Sequence, residues 1–181
     1  MNRRTPWPWL VYIVWNAWIY ALLGWGSSVQ LAGVRLGPWL PDLGLVLLLG
    51  LEPGLSRRGA LLAALLCALS RASFSAEPAT ALVAGYIGCV WLARAVRTVV
   101  ESDGPLPRTV LVASSAFLLC IFWGLVRTAR NLDPLAASSV GLAAAVDAGL
   151  KIALATGLAS LALLPLILRL PGLTTLRGRM T

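Results

Sequence analysis

Apolar residues in this chain come in blocks, and the short stretches between the blocks hold most of the charge. The blocks cover roughly residues 8–24, 41–52, 59–70, 79–95, 109–127 and 138–167. They lack the polar face that a helix on the surface of a soluble protein needs. Blocks approaching 20 residues suit a helix that crosses a hydrocarbon layer about 30 Å thick. Residues 25–40 break the pattern with Gly26, Gly33, Gly37, Pro38 and the Ser27–Ser28 pair. A short extended piece is expected there near 29–36, where apolar and polar residues roughly alternate. The pattern predicts an all-α membrane protein: about six transmembrane helices in one bundle, forming a single integral membrane domain over 1–181.

The second and third blocks form a tight unit. Pro41 and Asp42 suit the start of a helix, since proline needs no partner there and a carboxylate meets the positive end of the helix dipole. The apolar run ends near Leu51, the turn carries Glu52, Pro53, Gly54 and the Arg57–Arg58 pair, and an alanine-rich run follows to Ser70. Both runs are short for a full crossing, so they require local thinning or shielding by other helices. Their small residues favour close backbone approach and place this pair inside the bundle, and Gly85 and Gly88 suggest tight packing of the fourth block.

Composition agrees. The chain is 59% hydrophobic and 12% charged, against about 25% charged in soluble domains. The net charge of +8 comes from scattered single and paired arginines rather than a basic run, which argues for topology signals and anionic lipids as partners and against nucleic acid. With the N-terminus inside, cytoplasmic segments hold Arg3, Arg4, Arg57, Arg58, Arg94, Arg97, Arg108, Arg169, Arg177 and Arg179, while outer segments hold Arg35, Arg71, Arg127 and Arg130. That bias predicts both termini in the cytoplasm. The apolar stretch after Arg3–Arg4 runs past a signal core and reads as a retained first helix.

Few residues are candidates for chemistry. Asp147 and Lys151 lie four apart within the last block and are expected to form a buried polar pair facing the bundle, with a partner-contact site or a substrate or proton site as the alternatives. Asn16 lies between Trp15 and Trp18 in the middle of the first block, where an amide needs a partner on another helix. Trp15, Asn16, Trp18 and Asp42 are therefore candidate partner-binding residues, with helix capping as the simpler role for Asp42. No histidine, nucleophile-elbow motif, phosphate-binding loop or carboxylate cluster is present, so no enzymatic activity, metal or cofactor is expected. Cys67, Cys89 and Cys120 all sit inside apolar runs and read as small buried hydrophobes.

The run Pro-Asp-Leu-Gly-Leu-Val-Leu-Leu-Leu-Gly-Leu (41–51), the Arg57–Arg58–Gly59 turn and the later Ala81–Leu82 and Gly85–Tyr86 pairs resemble the rod shape-determining protein MreD family, as do the length and six-span layout. Members often carry an aspartate near the end of the third span, where this chain has Ser70 and Arg71. The resemblance implies a non-enzymatic, multi-pass component of the bacterial inner (cytoplasmic) membrane. There it would serve the cell-elongation machinery, or elongasome, in rod shape maintenance and control of peptidoglycan synthesis in the cell wall. It implies binding to the transmembrane helix of MreC, with the RodA–PBP2 synthase and MreB nearby. The family is similar in fold to the S components of ECF transporters, which makes a substrate-binding S component for a vitamin the alternative. Such a protein would need an outward pocket, bordered here by Trp25, Trp39, Arg71 and Glu77.

Overall fold

A computed structural model describes residues 7–27, 30–31, 34–35, 39–75, 77–99, 104–131, 139–167 and 169. Six helices follow one another: α1 (Trp7–Ser27), α2 (Leu43–Leu51), α3 (Arg57–Ala72), α4 (Ala79–Val99), α5 (Pro105–Asn131) and α6 (Ser139–Ile167). Each coincides with one apolar block. Between α1 and α2, β1 (Gln30–Leu31) pairs antiparallel with β2 (Val34–Arg35), in the stretch expected to be extended. α4, α5 and α6 are long and apolar enough to cross a membrane. Arg3, Arg4, Arg177 and Arg179, which weigh in the orientation count, lie outside the described residues.

α2 is the axis. It packs against α1, α3, α4, α5 and α6, and those helices also contact each other in the order α1–α3–α4–α5–α6. Every residue from Gly44 to Leu51 is buried. A helix of nine residues rises only about 14 Å, far less than a bilayer core. Protein rather than lipid surrounds it, which is the shielding its length required. α3 is different: Ala60, Ala63, Ala64, Cys67 and Ala68 face inward, while Leu62, Leu65 and Leu69 are exposed on the opposite side. The helix pair is thus wholly interior only in its first member.

Small residues set the closest approaches. A Cβ on Gly157 would lie 3.2 Å from Cβ of Ala113, and one on Gly149 would lie 3.3 Å from Phe117, so α5 and α6 meet almost backbone to backbone. Gly85 receives the side chain of Leu119, whose Cδ1 lies 2.5 Å from where a Cβ would stand. Gly88 differs from expectation: it faces outward and nothing lies within 4 Å of its Cβ position. Cys67 and Cys89 are buried and Cys120 is half-buried. Trp9 and Trp15 pack against the core, whereas Trp7, Trp18, Trp25, Trp39 and Trp91 are exposed.

Candidate functional site

The interior polar groups gather at the two ends of α2. Asp42 caps its N-terminus: Oδ1 accepts from the Leu45 backbone N–H at 3.0 Å, which satisfies one of the unpaired amides of the first turn. Its own backbone N–H donates to Thr156 Oγ1 of α6 at 3.0 Å. Oδ2 accepts from the Tyr86 hydroxyl at 2.9 Å and from Nη1 of Arg71. The Tyr20 hydroxyl lies 3.5 Å from Oδ1, 2.7 Å from the Tyr86 hydroxyl and 3.2 Å from Sγ of Cys67. Asp42 is 6% exposed, with partners on α1, α3, α4 and α6 around it.

Two sequence features make this assembly fit. Gly44 has no side chain, and a Cβ there would collide with the phenol of Tyr20, so the glycine two residues after Asp42 is what admits the tyrosine. Arg71 occupies the last turn of α3, which the helix pair brings back beside the start of α2. Its guanidinium carbon sits 4.0 Å from the centroid of the Trp123 ring and 5.8 Å from that of Tyr20. It is held between an anion and an aromatic face.

Beside this cluster lies a cavity of about 330 Å³, lined by residues of α1, α3, α5, α6 and the approach to α2. Tyr20, Asp42, Arg71 and Trp123 form its inner wall, and Arg127 lines it as well. Arg127 donates from Nε to Glu77 Oε1 at 2.5 Å. The four residues named above as borders of such a pocket fall differently here. Arg71 lines it; Glu77 acts through Arg127; Trp25 and Trp39 are not among its lining residues.

At the other end of α2, Glu52 closes the helix and is 3% exposed. Oε1 accepts from Nε of Arg94 at 2.7 Å and Oε2 from Nη1 of Arg97 at 2.5 Å. Nη2 of Arg94 also donates to the Leu55 carbonyl at 3.0 Å, tying the α2–α3 turn to α4. Arg57 lies over the Trp91 ring at 5.1 Å.

The sequence-derived candidates fare unequally. Asp147 and Lys151 do pair, with Nζ to Oδ2 at 2.5 Å, but they are not buried: the side chains are 63% and 35% exposed. α6 turns Gly149, Ala153, Thr156, Gly157, Ser160 and Leu164 inward, and Asp147 falls off that stripe. Asn16 is fully buried in the chain's own bundle, so a partner cannot reach it from outside, and its amide donates to the Tyr12 carbonyl of its own helix at 2.9 Å rather than to another helix as expected. Asp42 is also buried, meeting only the cavity, and of its two candidate roles it performs the capping one. Trp15 is half-buried and Trp18 is 63% exposed. Reading by residue type missed Tyr20, Tyr86, Arg71 and Thr156 as partners of Asp42, and missed Glu52 with Arg94 and Arg97. No family model, curated protein or solved structure matches the chain.

Proposed function

We propose that this chain is a six-span protein of the bacterial inner membrane with both termini in the cytoplasm, and a non-enzymatic scaffold of the elongation machinery similar to MreD. In this reading it holds the single transmembrane helix of MreC along α1. The observation that supports the reading most is the outer face of α1. Trp7, Leu10, Val14, Trp18, Leu22 and Trp25 recur at helical spacing and are all exposed. Trp7 and Trp25 stand at the two ends of the helix, where interfacial tryptophans belong. Trp18 stands at mid-length with 63% of its surface uncovered. A large amphipathic ring at that depth is poorly placed against lipid tails and well placed against another helix, which would cover its surface and reach its N–H.

A photo-cross-linking amino acid at position 18, in cells expressing MreC, tests the reading. Capture of the MreC helix at position 18 and not at position 91, an equally exposed tryptophan site on α4, is expected. No capture, or equal capture at both, refutes lateral docking on α1. The cavity beside Arg71 favours a second reading, small-molecule capture as in an S component. Stabilisation by a vitamin in a melting screen would support it.

A further inference from the structure

We propose that the cavity at the Asp42 end binds a phosphate group carried on an apolar body, with Arg71 as the principal donor and Arg127 as the second. The inference does not depend on the scaffold reading, since it concerns a different face and is read by a different measurement. It starts from unused donors. A guanidinium carries five N–H groups in a rigid fork. In Arg71 only Nη1 is engaged, by Asp42 and Tyr86; Nε and Nη2 make no hydrogen bond to a described residue. Trp123 at 4.0 Å fixes the plane of the fork. A side chain pinned on one edge, with its remaining N–H groups unused beside a cavity it lines, is organised for bidentate contact with acceptor oxygens.

The acid at the site points the same way. Asp42 is the only acid among the described residues that line the cavity, and both its oxygens are occupied by Leu45, Arg71 and the two tyrosine hydroxyls. It therefore orients Arg71 and has little capacity left to receive a cationic or hydrogen-donating ligand. Arg127, tied to Glu77 yet 68% exposed, adds a second positive group. Most of the remaining lining is apolar, with Leu23, Leu40, Phe74, Leu119 and Ile152 beside Ser75 and Cys120. Charged donors together with hydrocarbon match an amphiphile rather than a free inorganic ion. Both donors stand near helix ends: Arg71 lies in the last turn of α3 and Arg127 in the penultimate turn of α5. The volume lies at the lower end of ligand sites, enough for a head group with part of a chain.

The test is thermal unfolding of the purified full chain in an uncharged detergent, titrated with dioctanoyl phosphatidylglycerol, dioctanoylglycerol, glycerol phosphate or inorganic phosphate. Dioctanoyl phosphatidylglycerol is expected to raise the melting temperature by roughly 5 °C near saturation, while dioctanoylglycerol does not. If glycerol phosphate acts equally well at similar concentration, the source is a soluble phosphate ester; if only the lipid acts, it is a membrane lipid. Equal stabilisation by dioctanoylglycerol, by inorganic phosphate alone, or by none of the four overturns the proposal. Two variants separate the cavity from general contact with lipid, and neither touches the Arg71–Asp42 pair. Ala148→Leu fills the cavity and should abolish the response. Arg127→Gln removes the second donor and should weaken the apparent affinity about tenfold. An unaltered response in whichever of the two folds also overturns it.

Discussion

At its first residue α2 meets a carboxylate held by one arginine, two tyrosines and an amide; at its last it meets a carboxylate held by two arginines. Both acids are almost completely buried. Both are secured by residues of helices other than α2, so each end of the central helix is fastened to the ring around it. The clusters differ in redundancy. Glu52 has a cation on each oxygen, and either arginine can leave the other in place. Among the described residues Asp42 has a single cation, and the rest of its shell is neutral. The Glu52 cluster uses both oxygens and ties the turn to α4. The Asp42 cluster leaves donors unspent beside a cavity. The two ends of one helix thus differ in how many cations hold the acid and in whether a cavity lies beside it.

Substitutions at the two ends should therefore differ in size. The largest effect is expected for Arg71→Met, which leaves Asp42 buried without a cation; a loss of about 3–5 kcal/mol is anticipated, measured by denaturant titration in mixed micelles. Adding Asp42→Asn to that variant should recover part of the loss. If it recovers none, Arg71 acts by packing on Trp123 rather than by neutralising Asp42. Gly44→Ala should cost about 2–3 kcal/mol through overpacking, because the phenol of Tyr20 must move away from Asp42. Restoring space with Tyr20→Phe will not help, as the ring itself also collides. Arg97→Met at the other end should cost about 1.5–3 kcal/mol, the range for one hydrogen bond to a charged group. The redundancy argument fails if this equals the Arg71→Met loss. The smallest effect belongs to the exposed pair on α6. Lys151→Met, alone or with Asp147→Leu, should change stability by less than about 1 kcal/mol.

That last prediction marks where sequence and structure part. An i,i+4 pair is visible in any sequence, because the spacing is local. Which face it occupies is decided by the inward stripe of the helix, and on α6 that stripe was also legible: Gly149, Ala153, Thr156, Gly157 and Ser160 are the small and hydroxyl residues that close packing selects. Counting the apolar blocks recovered the six helices because each block is bounded by charge or by proline and glycine. Asp42 as a cap was legible for the same local reason. Its partners were not: Tyr20, Arg71 and Tyr86 stand 22, 29 and 44 residues away, and no periodicity links them. One clue was available. A turn between two short antiparallel helices returns the end of α3 to the start of α2, so Arg71 had to lie near Asp42. Assigning Arg71 to an outer segment, as a topology signal and a pocket border, concealed the pair.

The brevity of α2 also bears on how the protein is made. With only nine helical residues between its terminal acids, it is too short for an insertion machine to release into lipid as an independent span. It must be retained until α3 returns with Arg71, and again until α4 delivers Arg94 and Arg97. The central element of the bundle is thus made before the residues that neutralise its two acids. A chain truncated before α4 should be recognised as unfinished and degraded, because the Glu52 carboxylate would still lack its cations.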